Sequence, residues 1–476
     1  VKKVLHISTE CYPVAKAGGM ADVVGALPLY QKKLGWEPSV IIPRYDLKWY
    51  QDKTFKEVYS DTLTMEGQQY DFSIVQCIDH NIDYHLYLVD LPELFMRDSI
   101  YLNDEGYGFH DEPERNMGFQ RATLQWLSNT KEAFDLLHCH DHQTGFIPFM
   151  IQHGTEYKRL SKTPTVYTVH NAAYNSRYPW ERKTLLPKFK EALIPSIDWD
   201  NCFDAVASAM RYAAHVNTVS PSYLTELLAS MKPLKIIYGL EPDKFSGILN
   251  GIDAQTWDPK KDERIPHKLG RSWDTFKNKN KSALLSTLYR AEDIPMISFI
   301  GRFAHQKGAD LLRPVIEQIL TRFGFVNFFI LGSGDRHLEH SIQGLRDRHP
   351  ERVGCYIGYN EDVAHQVYAA SDFILMPSRF EPCGLNQMFA MRYGTIPIAR
   401  ATGGLKDTVI DFESGGTGIS FTHDTPHDLS QAISRAMYLI KDKDLFKTVR
   451  DKAIAQNYSW EASTKTYIST YNRITQ

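Results

Sequence analysis

Long apolar runs, an excess of one charge and paired cysteines are all missing from this 476-residue sequence. No run of about 18 apolar residues, the length a membrane-spanning helix needs, occurs. The opening VKKVLHISTECYP also lacks the apolar core of a secretory signal, so a cytoplasmic protein is expected. Six cysteines, Cys11, Cys77, Cys139, Cys202, Cys355 and Cys383, are scattered with no CxxC pair. That spacing excludes a disulfide framework and a structural zinc ribbon, and reduced thiols are expected. Fifty-four basic and 57 acidic residues leave a net charge of -3, no field for a polyanion such as nucleic acid. Any anionic ligand must be small and held by local groups. Neither a full GxGxxG nor a Walker sequence is present, and there is no tandem repeat or low-complexity segment.

What is present alternates. Short β-branched and apolar runs at 4–8, 39–43, 136–139, 165–169 and 216–220, and again at 296–301, 328–331, 373–377 and 396–399, read as strands. Amphipathic stretches at 21–34, 114–130, 310–323 and 385–393 read as the helices between them. This is the grammar of parallel α/β sheets covered on both faces. The charge-rich stretch 254–293 reads as a surface excursion near a boundary at about 240–250. Two doubly wound domains are therefore expected, 1–245 and 246–476, with a site in the cleft between them. The helix pattern at about 458–476 is free, by sequence, to pack on either one.

Four motifs could carry chemistry. In KAGGMADVV, Gly18 and Gly19 lie between a strand and a helix start, where backbone N–H groups and the helix dipole favour an anion, and Lys16 adds a full charge. The competing reading is a tight turn. In GRFAHQKGADLL, Arg302 and Lys307 follow a strand and suit a diphosphate, unless they are merely solvated. In SRFEPCGLNQ, Pro382 and Gly384 force a rigid turn that holds Glu381 at a strand end, either for a sugar hydroxyl or a developing cation or as a helix-capping acid. In LLHCHDHQTG, His138, His140 and His142 alternate as metal ligands on one strand face would, but Asp141 and His140 read better as polar groups at a strand end. VYTVHNAAY delivers His170 and Asn171 in the same way. ATGGLKDTV, at 401–409, echoes the first glycine pair without its lysine.

Taken together these motifs resemble those of bacterial glycogen synthases and plant starch synthases, retaining glucosyltransferases with two facing Rossmann-like domains, the GT-B fold. The resemblance spans nearly the whole chain through KAGGMADVVGALP, HDHQTG, TVHN, NTVSPSY, LNGIDAQTWDP, GRFAHQKG, YIGYNE, SRFEPCGLNQ and RYGTIPIARATGGLKDTV, all in the family's order. Three departures stand out. Met20 replaces the family's leucine, His142-Gln143 replaces Trp-His in His-Asp-Trp-His-Thr-Gly, and Ala172 to Ser176 replaces Leu-Ala-Tyr-Gln-Gly. The last two fall on the sugar and acceptor side.

The resemblance implies roles residue by residue. Lys16, Arg302 and Lys307 would bind the donor's diphosphate with help from the Gly18-Gly19 backbone. Asp22, Asn250 and Tyr359 would lie near the nucleoside or its phosphates. Asp141, His170, Asn171 and Glu381 would surround the transferred glucose, with Cys383, Gly384, Leu385 and Asn386 presenting backbone to it. Breaking the anomeric bond builds negative charge on phosphate and positive charge on the ring, so cations and a carboxylate are needed on opposite sides. Same-face attack by the acceptor's 4-hydroxyl is favoured, while double displacement through Asp141 or Glu381 stays open. No metal or cofactor is called for, because lysine and arginine neutralise the leaving group. The domains are expected to close on the donor to exclude water.

The implied activity is transfer of glucose from ADP-glucose to the non-reducing end of an α-1,4-glucan. Alternatives are UDP-glucose as donor, a related GT-B enzyme with a small acceptor, and an inactive glucan-binding protein, for which 12% aromatic residues offer stacking faces. The second glycine pair, Gly403-Gly404, is expected to shape the wall of the donor pocket.

Overall fold

The computed structural model describes residues 1–79, 81–285 and 294–476. The chain divides into two compact units, one of residues 1–219, 224–248 and 460–476, the other of 220–223 and 249–459. Among the described residues no helix is long and apolar enough to cross a membrane.

The first unit is built on a nine-stranded sheet. Its order is Phe245–Gly247, His215–Thr218, Thr165–Val169, Leu136–His140, Lys2–Ile7, Trp36–Pro43, His85–Asp90, Gln68–Cys77 and Phe55–Met65. The first seven run parallel, and the expected apolar strand runs form its centre. The last two add an antiparallel edge that the parallel pattern did not predict. Phe55–Met65 alternates exposed and buried positions, the mark of an edge strand with one wet face, and it turns back at Glu66-Gly67 with φ of 50° and 83°.

The second unit has a six-stranded parallel sheet in the order Val353–Ile357, Asn327–Gly332, Met296–Ile300, Phe373–Met376, Ile396–Arg400 and Ile419–Phe421. Its core gathers Ile297, Val315, Ile319, Phe328, Phe373 and Ile433. The expected surface excursion is corrected here, although 286–293 lie outside the described residues. Within it, Trp273–Leu285 is a helix that buries Phe276, Lys277, Asn280, Lys281 and Leu285. Its lysines are inside because they are satisfied. Lys277 Nζ donates to the carbonyls of Tyr368 and Ser371 at 2.9 and 2.8 Å and to Thr395 Oγ1 at 2.5 Å, and Lys281 pairs with Asp372 at 2.6 Å.

The final helix, Trp460–Ile474, belongs to the first unit. Trp460, Tyr467 and Tyr471 pack with Val4, Val23, Leu27, Trp36 and Val166, covering one sheet face beside the helix Gly19–Lys33.

Candidate active site

In doubly wound sheets, ligands bind beyond the carboxyl ends of the strands where the strand order reverses. In the first unit the reversal lies between Lys2–Ile7 and Leu136–His140, so the loops starting at Ser8 and Asp141 flank it. In the second it lies between Met296–Ile300 and Phe373–Met376, flanked by the loops that carry Arg302, Lys307 and Glu381. Most of the residues singled out from sequence therefore sit at one of two topological switch points.

In the first unit, Lys16 Nζ lies 2.6 Å from Asp22 Oδ1 and 5.2 Å from the Tyr12 ring. A residue not foreseen from sequence, Glu10, is 3% exposed and takes up part of the glycine loop. Its Oε2 accepts the N–H groups of Ala17 and Gly18 at 2.6 and 2.7 Å, and its Oε1 accepts the Tyr101 hydroxyl at 2.7 Å. The Gly18 N–H is thus engaged within the protein. The Gly19 N–H has no partner among the described residues, and a Cβ there would meet nothing within 4 Å. A carboxylate at the end of the first strand, in STECYP, was the available sign for Glu10.

Asp141 follows its strand with φ 56° and ψ −179°, a backbone region nearly reserved for glycine that costs on the order of 1–3 kcal/mol and gathers at functional sites. Its Oδ1 accepts the N–H of His170 at 2.6 Å and of Asn171 at 3.4 Å. Burial pushes its carboxyl up to about 7, helped by Glu10 and opposed by those two N–H groups. His170 keeps 7% exposure, and burial lowers its ring to about 3, so it is neutral.

The same backbone turn removes His142 from the strand alternation expected of a ligand trio. His142 Nδ1 instead bonds Ser176 Oγ at 2.6 Å, and burial lowers it to about 4. Two of the positions that depart from the family pattern are therefore each other's partners. The three clustered imidazoles are those of His6, His138 and His140, close enough together to hold a metal ion. Both nitrogens of every one of these rings are hydrogen-bonded: His6 to Gln31 and His140, His138 to Tyr471 and Thr168, His140 to His6 and His170. An ion would have to displace a completed network.

In the second unit Glu381 is 7% exposed, and its Oε2 accepts Lys307 Nζ at 2.5 Å and Ser378 Oγ at 3.0 Å. Arg379 ties the two loops together through Asp310 at 2.6 and 2.9 Å and the His305 carbonyl at 2.7 Å. Arg302 Nη2 donates to Gln306 Oε1 at 3.3 Å. Gly384, with φ 73°, and Leu385 lead into the helix Asn386–Arg392, and Asn386 Nδ2 is tied to the Ile300 carbonyl at 2.7 Å. Burial lifts the Cys383 thiol to about 12 against a backbone hydrogen bond from Asn250. Asn250 Oδ1 is itself buried and has no partner among the described residues, an acceptor open to a ligand. Tyr359 stands 84% exposed beyond the edge strand Val353–Ile357 and away from the switch point.

Gly403 and Gly404 serve this loop by packing. With φ 42°, Gly403 would bring a Cβ within 2.0 Å of the Glu381 carbonyl, and Gly404 would bring one within 2.2 Å of the Cys383 carbonyl.

Residues 3–241 match the family model for the starch synthase catalytic domain, and 294–438 match that for glycosyl transferases group 1. A glycogen synthase of Flavobacterium johnsoniae is 42% identical over 476 residues, covering 100% of this chain and 99% of its own. One from Anoxybacillus flavithermus is 36% identical, covering 99% and 98%. The solved catalytic domain of starch synthase IV from Arabidopsis thaliana, bound to ADP and acarbose, superposes with a TM-score of 0.85 at 29% identity, covering 100% of this chain and 99% of that one. The two Rossmann-like units are those of the GT-B glycosyltransferases.

Proposed function

The chain belongs to the glycogen synthase family, and from that premise we propose that it transfers glucose, with retention, from ADP-glucose to the non-reducing end of an α-1,4-glucan in the cytoplasm. The observation that carries this reading is the position of its charged groups: Lys16 and Asp141 at one switch point, Arg302, Lys307 and Glu381 at the other. The matched starch synthase domain is bound to ADP and acarbose, which supports an adenine donor and a glucan acceptor.

Lys16, Arg302 and Lys307 neutralise the diphosphate as the anomeric carbon–oxygen bond breaks and its electron pair moves onto phosphate. The Gly19 N–H, at the start of a helix with open space above it, adds a backbone donor. Asp22, Asn250 and Tyr359 serve the nucleoside side, and the unpartnered Asn250 Oδ1 suits a ligand donor. Asp141, His170 and Asn171 in the first unit, and Glu381 with the backbone of Cys383 to Asn386 in the second, are the groups assigned to the glucose and its developing positive charge. The acceptor's 4-hydroxyl attacks from the face the diphosphate leaves, and its proton passes to the departing phosphate oxygen. Lys307 bridges the two charge centres. Its ammonium holds Glu381 and in this reading also serves a phosphate when the donor binds.

The test is incorporation of labelled glucose into glycogen from ADP-glucose and UDP-glucose in parallel. A higher kcat/KM with ADP-glucose is expected. Preference for UDP-glucose overturns the donor assignment, transfer only to small sugars overturns the acceptor, and no transfer from either donor defeats the enzymatic reading.

A further inference from the structure

Beneath the site, the first unit contains a closed hydrogen-bonded network with no role in binding or transfer assigned above. Sheet register assembles it. His6 lies level with His138 on neighbouring strands, His140 with Thr168, and Thr168 with Asn217. The side chains of His6, Gln31, His138, His140, Thr168 and Asn217 are all 0% exposed.

A neutral imidazole has one N–H and one lone pair, so in a chain of neutral rings the direction at one end sets every proton beyond it. Burial holds His6 at about 4 and His138 and His140 well below their ordinary value, so all are neutral. The Gln31 amide sets the direction. Its Nε2 donates to the Tyr471 hydroxyl at 3.0 Å, leaving Oε1 to accept from His6 Nε2 at 2.8 Å. His6 Nδ1 must then accept from His140 Nε2 at 3.0 Å, and His140 Nδ1 from His170 Nε2 at 2.9 Å. A second branch obeys the same polarity. Tyr471 donates to His138 Nδ1 at 2.5 Å, His138 Nε2 to Thr168 Oγ1 at 2.6 Å, Thr168 to Asn217 Oδ1 at 2.8 Å, and Asn217 to the Tyr467 hydroxyl at 3.2 Å.

We propose that Gln31, His6 and His140 form a positioning relay that fixes His170 as the Nε2–H tautomer, leaving its Nδ1 lone pair to accept a sugar hydroxyl. This rests on the reading that His170 faces the transferred glucose. Nδ1 has no protein partner among the described residues. A neutral acceptor there orients a hydroxyl without placing a cation beside an oxocarbenium-like ring, whereas the reversed relay would present an N–H that cannot accept. Because the Gln31 amide bonds Tyr471, the final helix of the chain is linked to the proton position of a residue at the switch point.

Histidine-selective 15N NMR of the full chain reads the tautomer directly. Nε2 protonated and Nδ1 pyridine-like at His170 is the expected result, and the reverse or an average overturns the relay. Gln31→Met conserves volume but removes both amide contacts, and Gln31→Glu keeps an acceptor facing His6. The first should mix the His170 tautomers and lower kcat about 10-fold, the scale for loss of a partner that orients a functional histidine, with donor KM changed less than about 2-fold. The second should restore the tautomer and most of kcat. A folded Gln31→Met with the wild-type tautomer and kcat overturns the proposal. If Gln31→Met does not fold, His140→Leu, which removes the acceptor that holds the His170 Nε2–H, should mix the His170 tautomers, and a wild-type tautomer in that variant overturns the relay. His170→Ala separates the two claims: unchanged kcat overturns the sugar-facing role of His170 and the catalytic consequence of the relay, while the NMR result still judges the relay itself.

Discussion

Gly19 and Gly404 are each the second member of a glycine pair that opens a helix, yet they answer to opposite constraints. Nothing lies within 4 Å of a Cβ built at Gly19, while one at Gly404 would sit 2.2 Å from the Cys383 carbonyl. Packing does not demand glycine at 19, so its use there fits approach of a ligand to the main chain. Gly19→Ala should therefore leave the melting temperature unchanged or slightly raised, alanine being favoured in helices by up to about 1 kcal/mol, while raising donor KM several-fold. An unchanged KM would remove this loop from donor binding. Gly404→Ala should instead displace the Glu381–Cys383 loop and lose stability on the scale of overpacking, about 1–3 kcal/mol in denaturant titration. Asp141 makes the sharpest pH prediction at this scale. With its carboxyl held up to about 7 in the free protein, kcat/KM should fall as pH drops through about 7 if the ionised form faces the developing cation. Asp141→Asn should lower activity and remove that limb. The same shift has a stability sign. The folded state holds the proton more tightly than the unfolded chain, so the native state is favoured below the ordinary carboxylate range and loses that advantage as pH rises through about 7.

Among the elements, the strand Leu136–His140 and the turn after it show what sequence pattern can and cannot carry. Its apolar alternation marks it as a strand, and His138 and His140 do share a face, but period 2 stops where Asp141 takes φ 56°. Period 2 alone would group His142 with them, and it does not belong there, because no composition rule announces an aspartate in a glycine conformation. The helix Trp273–Leu285 was hidden for the converse reason. Lysines normally mark solvent, and Lys277 and Lys281 are internal only because the carbonyls of Tyr368, Ser371 and Ile294 and the Asp372 carboxylate wait for them from distant sequence. The central parallel strands and the loops at their carboxyl ends were legible, since buried apolar runs and strand-end polar motifs are local signals. Glu10 and the His6–Gln31–Tyr471 contacts depend on register and on a helix some 440 residues away, which local pattern does not contain. The His142–Ser176 bond yields a prediction between two loops. His142→Trp alone should destabilise, because the larger ring meets Ser176 and abandons its hydroxyl, and adding Ser176→Gly should recover part of the loss. Coupling of at least about 0.5 kcal/mol in a double-mutant cycle is expected for contacting residues; additivity would dissolve the pair.

For the whole molecule, both chain ends reside in one unit, so the last 17 residues complete a core begun by the first strand. Trp460, Tyr467 and Tyr471 are at most 4% exposed and pack on Val4, Trp36, Leu136 and Val166. Losing one large buried aromatic costs about 3–5 kcal/mol, and the folded state of a domain stands only about 5–15 kcal/mol below the unfolded one. Ending the chain at Ser459 removes three such side chains together with the Tyr471 hydroxyl that Gln31 bonds. The first unit should then fail to hold its native structure. The second, whose core of Ile297, Phe328, Phe373 and Ile433 contains none of these residues, should keep its own. Hydrogen exchange on the truncated chain checks this strand by strand: protection lost across Lys2–Ile7, Leu136–His140 and Thr165–Val169 but retained across Met296–Ile300 and Phe373–Met376 is the expected pattern. Uniform loss would mean that the units do not fold separately. Full retention would mean that the final helix is dispensable to the core, and the relay would then have to be oriented without Tyr471.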